Sequence, residues 1–282
     1  MQLHCKAHGK INWALNIIGR REDGYHTLDM LMHSIDLFDE MTFEPAEDLS
    51  LTVDGAVPRD AEKNLVIRAA RALNRRTGTR CGAHISLIKH IPARAGLGGG
   101  SADCAATLRA LNAMWRLNLS EGELSDIGLT LGADVPFCLA GGLARVTGIG
   151  ENIEPLPHPP EIPLVLVTPG GGLSTGAVFS EWDRGGFPPV SLDAAALAQA
   201  VIHRDLAAVD ALCVNALTAP ALKLMPEIGD ALRSMKSLGA KAAFMTGSGS
   251  TAVGAFSDGE AARRAASALP GAILTHTLSE TR

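Results

Sequence analysis

Long apolar runs are missing from this sequence. A bilayer-spanning helix needs about 20 consecutive apolar residues, and the longest uncharged apolar stretch, even counting Gly and Pro, is the ten residues 135–144. A spanning helix is excluded. Basic residues are too few and too scattered for a nucleic-acid backbone to be the main partner: 25 Lys and Arg stand against 30 Asp and Glu, a formal charge of -5, with no basic cluster. Cysteine is sparse as well. Cys5, Cys81, Cys104, Cys138 and Cys213 are odd in number and widely spaced, with no C-x-x-C pair and no His at zinc-ligand spacing, so neither a disulfide framework nor a zinc site is expected. They read as small buried hydrophobes in a reducing compartment. The N-terminal Met1-Gln2-Leu3-His4-Cys5-Lys6 lacks the apolar core of a secretory signal, and a cytoplasmic protein is expected.

What is present fits a globular chain: 282 residues, 46% hydrophobic and 20% charged, with a mean hydropathy of +0.15. At roughly 100–200 residues per domain, the length suggests about two domains. Ile11, Trp13, Leu15 and Ile17 alternate with Asn12, Ala14 and Asn16 as in a half-buried strand, and Arg21-Glu22-Asp23-Gly24 reads as a turn. Strand-like runs follow at 28–35, 41–44, 49–53 and 84–88, and Asn64 can cap a helix carrying Leu65, Ala69, Ala72 and Leu73 on one face. A long helical pattern runs from Ser101 to about Trp115, Ser120-Glu121-Gly122-Glu123 is a capping-box signature, and 143–147 reads as a strand.

The stretch Pro155-Leu156-Pro157-His158-Pro159-Pro160 resists both helix and central strand, and a boundary is expected there between domains 1–154 and 162–282. Beyond it, strands are expected at 164–167, 242–245, 252–256 and 272–277, and helices at 177–182, 193–203, 206–214, 228–238 and 260–269. Strands and helices intermix in both halves, so the class is α+β.

The strongest local signal is Gly96-Leu97-Gly98-Gly99-Gly100-Ser101, set between a strand and a helix. Glycines let backbone N–H groups turn inward and approach an anion closely, and a helix starting near Ser101 adds its positive dipole end. A phosphate would sit well there. The loop is not a Walker A sequence, since no G-x-x-x-x-G-K-[ST] string exists, and it lacks the third glycine of a dinucleotide fingerprint. Gly247-Ser248-Gly249-Ser250-Thr251-Ala252 satisfies G-x-G-x-x-A, but the pattern after it is strand-like, so the required helix is missing. Gly172-Leu173-Ser174-Thr175-Gly176 matches the nucleophile elbow of serine hydrolases, with Asp205 or Asp210 and His276 in triad order. Its strand ends near Val167, too far upstream for a tight elbow.

Two charged residues stand in apolar surroundings. Asp134, within Gly132-Ala133-Asp134-Val135-Pro136-Phe137, is either a helix N-cap or a functional acid, because an unpaired acid in such a place is costly. Lys10, at the mouth of the first strand, poses the same question, a surface position being its ordinary explanation.

Taken in order, these pieces resemble the GHMP superfamily of small-molecule kinases, whose phosphate loop has the form P-x-x-x-G-L-G, here Pro92-Ala93-Arg94-Ala95-Gly96-Leu97-Gly98. Four further segments are similar to the branch whose alcohol substrate is a cytidine-diphosphate-linked polyol. They are Gly99-Gly100-Ser101-Ala102-Asp103, Lys10-Ile11-Asn12, Arg21-Glu22-Asp23-Gly24-Tyr25-His26 and Gly132-Ala133-Asp134-Val135-Pro136. The superfamily's late glycine loop appears as Thr246-Gly247-Ser248-Gly249. The chain departs from the pattern at His8-Gly9, where Pro-Ala is common, and at Arg94, where a small residue is common; neither removes a catalytic group. The glycine loop alone does not separate this branch from homoserine or mevalonate kinases.

The resemblance implies two α+β domains with the active site in the cleft between them, and ATP with Mg²⁺ as the cofactor. It implies Lys10 and Asp134 as the catalytic pair, Lys10 holding Asp134 ionised and neutralising developing charge while Asp134 takes the proton. Adenine would lie near Asn64, Leu65 and Lys89, and the phosphates over Pro92, Gly96, Leu97, Gly98, Gly99, Gly100 and Ser101. On the alcohol substrate, Tyr25 would stack on the cytosine, His26 would bond its edge, Phe179 would close over the other face, and Thr175 and Asn12 would lie near the polyol and phosphates. The partners implied are ATP and the cytidine-diphosphate-linked polyol, with no nucleic acid and no membrane.

Overall fold

The structure is a computed structural model that describes residues 2–54, 63–188 and 190–279. The chain packs as two compact units. The first takes Met1–Gly9, Leu37–Ala93 and Gly98–Ala140, and the second takes Lys10–Asp36, Arg94–Leu97 and Gly141–Arg282. The proline-rich segment falls inside the second unit. Among the described residues, no helix is long and apolar enough to cross a membrane.

The first unit holds the beginning of β1 (Leu3–Arg20), the end of β2 (His26–Ala46), then β3 (Leu49–Asp54) and β4 (Gly82–Ile88). β4 pairs antiparallel with β2, from Glu40↔Ile88 to Ala46↔Gly82, and parallel with β3, from Leu49↔Ala83 to Asp54↔Ile88. A parallel pair needs a crossover, and α1 (Leu65–Thr77) supplies it. Asn64 caps that helix by accepting from the Val66 N–H at 3.0 Å, as the sequence predicts, and Gly78 at φ 69° ends it. α1 buries Val66, Ala69, Ala70, Ala72 and Leu73 in a core shared with Phe43, Ile85 and Leu87 of the strands and Leu108 of α2 (Gly99–Met114). α3 (Glu121–Leu131) starts on the expected Ser120–Glu123 capping box, and α4 (Val135–Ala140) follows Asp134.

The second unit holds the remainder of β1 and β2, with β2 paired antiparallel to β5 (Leu143–Gly148) and β5 to β6 (Asn152–Pro155). A separate four-stranded antiparallel sheet runs in the order β10 (Ile273–His276), β7 (Pro163–Val167), β9 (Ala252–Ala255), β8 (Ala242–Met245). Its helices are α5 (Thr175–Asp183), α6 (Ala194–Ile202), α7 (Leu206–Leu212), α8 (Thr218–Leu224), α9 (Glu227–Ser237) and α10 (Gly259–Ala268). His33 locks three segments of this unit. It accepts from Trp13 Nε1 at 3.2 Å through Nδ1 and donates to the Leu278 carbonyl at 3.0 Å through Nε2. Complete burial pushes its pKa down to about 4, so the ring stays neutral and this bonding pattern persists at physiological pH.

Three local expectations are corrected, and one helix is not anticipated. β1 is not half-buried over its central stretch: Lys10, Ile11, Asn12, Trp13, Ala14 and Leu15 are all buried, on both faces. The runs 28–35 and 41–44 belong to one 21-residue strand. Asp36 and Asp39 interrupt the apolar pattern between them, yet both lie within β2, and Asp39 is fully buried because other groups bond it. α2 begins two residues earlier than expected, taking Gly99 and Gly100 into its first turn. α8 escapes a pattern-based reading because it contains Pro220, which a first helical turn tolerates.

Candidate functional site

In the second unit, Lys10 is 3% exposed, so the surface reading of this lysine is overturned. Its Nζ donates to Asn12 Oδ1 at 2.7 Å, and its backbone N–H donates to the Leu97 carbonyl at 2.9 Å. Asn12 N–H in turn donates to Thr246 Oγ1 at 2.8 Å. One strand thus pins both glycine loops.

The loops touch backbone to backbone. A Cβ added at Gly96 would lie 2.4 Å from the Thr246 carbonyl oxygen, and one at Gly247 would lie 2.8 Å from the Gly96 carbonyl oxygen and 3.3 Å from Lys10 Nζ. Both glycines also hold positive φ, 78° and 57°, so close approach and left-handed backbone together demand glycine. The Asn215 amide donates to the carbonyls of Met245 and Gly247, each at 2.9 Å, fixing the late loop from its other side. Ser248 Oγ and Thr175 Oγ1 are 2.9 Å apart, which ties the start of α5 to the same loop. Arg94, the departure from the family pattern, sits at φ 55°, and its carbonyl accepts from the Leu173 N–H at 3.0 Å.

The turn before β2 carries Tyr25, 60% exposed, and His26. The His26 ring stacks on Phe179 with centroids 4.7 Å apart at 21°, and meets Trp182 edge-on at 5.4 Å. His26 Nε2 lies 2.8 Å from Asp183 Oδ1, and Arg20 stands 3.6 Å from the other Asp183 oxygen. An ionised carboxylate only accepts, so Nε2 carries the proton, and on a neutral ring Nδ1 keeps its lone pair. α5 is held by Glu181, buried between Lys223 at 2.5 Å and Arg184 at 3.0 Å. Trp182, Asp183 and Asn215 escaped the sequence reading. The partners of Asp183 and Asn215 are remote, 157 positions separating His26 from Asp183, and no short motif carries such a contact.

In the first unit, Gly98 takes the N-cap position of α2 at φ 71°, and Gly99, Gly100 and Ser101 form its first turn. First-turn N–H groups have no partner within the helix. Leu65 Cδ1 lies 3.6 Å from where a Gly100 Cβ would be, so the start of α1, with Asn64 and Leu65, adjoins the start of α2. Asp134 is half-buried, and its carbonyl accepts the Cys138 N–H at 3.0 Å, the N-cap position of α4. A Cβ at Gly132 would lie 3.7 Å from Ser101 Oγ, which places the Asp134 segment beside the same helix start. Pro92 is half-buried, one residue before the unit's segment Leu37–Ala93 ends.

Lys89 is 8% exposed at its side chain and bonds two buried carboxylates, Asp39 and Asp103, the latter at 2.7 Å. Burial pushes the Asp103 carboxyl well above the ordinary range, against the pull of Lys89, and Asp39 adds to the rise. Among the described residues, no group of three or more His, Cys, Asp or Glu is placed to hold a metal ion. Cys104 is buried in α2 with its thiol pushed up to about 12, so it packs rather than reacts. The hydrolase reading finds no support: Ser174 is the N-cap residue of α5, seven positions beyond the end of β7, and His276 lies 3.7 Å from Asp36 and from Glu161.

Residues 64–142 match the family described as GHMP kinases N terminal domain, and residues 197–273 match GHMP kinases C terminal. The 4-diphosphocytidyl-2-C-methyl-D-erythritol kinase of Pelotomaculum thermopropionicum is 43% identical over 94% of this chain and 93% of its own. That of Moorella thermoacetica is 43% identical over 98% of this chain and 99% of its own. A crystal structure of 4-(cytidine 5'-diphospho)-2C-methyl-D-erythritol kinase superposes with a TM-score of 0.82 at 35% identity, covering 98% of this chain and 99% of that one.

Proposed function

Since the chain belongs to the 4-diphosphocytidyl-2-C-methyl-D-erythritol kinase family of the GHMP kinases, we propose that it transfers the γ-phosphoryl group of ATP to the 2-hydroxyl of that polyol. The products are ADP and the 2-phosphate, an intermediate on the non-mevalonate route to isoprenoids. The observation that carries this reading is the buried Lys10 ammonium, held by Asn12 against the contact between the two glycine loops.

Phosphoryl transfer is governed by positioning and charge neutralisation. The residues divide that work. Backbone N–H groups of the turn at 98–101 receive the ATP phosphates at the positive end of α2, with Pro92, Gly96 and Leu97 shaping the approach and Asn64, Leu65 and Lys89 near the adenine. Lys10 neutralises charge that develops on the transferring group, and Asp134 takes the hydroxyl proton. Mg²⁺ carried on nucleotide oxygens and water would supply further charge neutralisation there. Thr246, Gly247, Ser248 and Gly249, with Asn12 and Thr175, line the side where the polyol and its phosphates lie. An ADP-release assay with the cytidyl polyol, homoserine and mevalonate tests the assignment: turnover is expected with the first alone, and turnover with either of the others in its place overturns it.

Gly100→Ala isolates the phosphate site. The added methyl meets only Leu65 at ordinary contact distance, and alanine favours a helix more than glycine does, so the melting temperature should hold or rise. ADP affinity should fall by about tenfold or more, a loss of ~1.4 kcal/mol, as the methyl crowds the phosphate approach. A thermal melt and a calorimetric titration of the purified variant measure the two effects.

Tyr25 is read as the cytosine platform. Its side chain is largely exposed, so removing it sacrifices little packing. Base stacking on an aromatic is worth about 1–3 kcal/mol, so Tyr25→Ala should raise KM for the cytidyl substrate by roughly five- to 150-fold. KM for ATP should stay unchanged, because the ring touches only one substrate. An equal rise in both would remove Tyr25 from the base. His26 stacks directly on Phe179 and is oriented by Asp183, which leaves its Nδ1 lone pair for the cytosine amino group.

A further inference from the structure

The buried cluster of Asp39, Lys89 and Asp103 is larger than packing requires. Asp39 is fully buried in β2, and one of its carboxylate oxygens accepts the backbone N–H groups of His90 at 2.6 Å and Ile91 at 2.8 Å. Its other oxygen bonds Lys89 Nζ, which also donates to Asp103 Oδ2 at 2.7 Å. The remaining Asp103 oxygen is buried with no hydrogen-bond partner among the described residues. Burying two carboxylates and an ammonium costs more in desolvation than their attraction returns in many measured cases, and apolar residues of similar volume often serve stability as well. Geometry is what such a cluster supplies.

The geometry concerns a short stretch of backbone. Lys89 follows β4, its N–H donating to the Asp54 carbonyl at 2.9 Å, and His90 and Ile91 carry the chain onward. A Cβ at Gly99 would lie 2.9 Å from Ile91 Cγ2 and 3.4 Å from Lys89 Nζ, so the first residue of α2 rests on these two side chains with no room for a methyl. Asp103, one turn into α2, takes hold of the same ammonium. The strand exit and the helix start are therefore fastened to one another at two points, the Lys89–Asp103 bond and the Ile91–Gly99 contact, while Asp39 holds the strand exit to β2 through two backbone bonds and anchors the same Lys89 ammonium.

We propose that Asp39 and Asp103, acting through Lys89, are positioning residues for the nucleotide, holding the end of β4 against the first turn of α2 so that the N–H groups at 99–101 keep a fixed aim. The Lys89 ammonium then works from beneath the turn, committed to two carboxylates, and does not serve as a counter-charge to ATP. This inference rests on the reading that the turn at 98–101 holds the phosphates.

Asp39→Asn and Asp39→Ala, in the full chain, test it. The Asn carbonyl oxygen can keep both backbone bonds while its amide loses Lys89; the Ala variant loses everything. The Kd for ADP is expected to rise by about tenfold in Asp39→Asn and further in Asp39→Ala, because small displacements of positioning groups are expensive. KM for the alcohol substrate should stay within about twofold. An ADP Kd unchanged in Asp39→Asn, whatever happens to the melting temperature, would overturn the inference, as would an equal weakening of both substrates. Where Asp39→Ala does not fold, Asp39→Asn decides. Gly100→Ala separates the two readings: if it weakens ADP binding by about tenfold or more and Asp39→Asn does not weaken it, the phosphate site stands and the positioning role falls; if Gly100→Ala binds ADP normally, the phosphate reading itself falls.

Discussion

Asp134→Asn is expected to lower kcat by about 10²- to 10⁴-fold, the range that a positioned general base contributes. The substitution is well matched to the structure. Asp134 precedes α4, and its carbonyl accepts the first helical N–H, from Cys138. Asn ranks with Asp as an N-cap residue, so the helix keeps its start. What the variant loses is a negative charge near a helix N-terminus, worth about 0.3–1 kcal/mol, and the ability to accept a proton. Stability and catalysis therefore part. The melting temperature should fall by no more than a few degrees, while turnover collapses with KM for ATP and for the alcohol nearly unchanged, because proton acceptance matters in the transition state and not in binding. Single-turnover kinetics on the folded variant check this, and near wild-type turnover would leave Asp134 as a cap and nothing more.

The parts of the molecule that were legible in the sequence are those whose physics is local. Asn64 could be read as a cap because its partner is two residues away, and the Ser120–Glu123 box because its bonds span three. The glycine cluster could be read as a tight turn into a helix because left-handed backbone and a helix start adjoin one another within a few positions. The long-range half of the site was silent. Asp39 meets Lys89 across 50 positions, Asn215 meets Gly247 across 32, and His26 meets Asp183 across 157. In pattern terms Asp39 even misled, since an acid between two apolar runs reads as a break. It lies inside a continuous strand because two backbone N–H groups and an ammonium replace the water it gives up. Lys10 misled in the same way. A lysine at the end of an apolar run reads as a surface residue, and nothing local says that Asn12 two positions on will accept its ammonium in the interior.

Lys10→Met should be the second severe loss, and its stability should again stay close to the parent. Methionine carries an unbranched stem of similar length, so the buried space that the Lys10 side chain occupies remains filled. Removing a buried ammonium relieves its desolvation cost, but it leaves Asn12 Oδ1 without the 2.7 Å donor, a penalty of about 1–3 kcal/mol. These oppose one another, and with Tm moving ~2–4 °C per kcal/mol in large domains, a shift of a few degrees is expected. The backbone anchors survive, since the Lys10 N–H to Leu97 bond and the Asn12 N–H to Thr246 bond involve no side-chain atom of residue 10. Both glycine loops should therefore hold their places. Catalysis loses a preorganised cation at the point where charge develops, a removal that costs about 10²- to 10³-fold in kcat in comparable sites. Lys10→Arg should not restore it, because a planar guanidinium on a longer stem cannot place a compact point charge at the position where Asn12 Oδ1 holds the ammonium at 2.7 Å. Turnover within about threefold of the parent in Lys10→Met would return this lysine to a purely structural role.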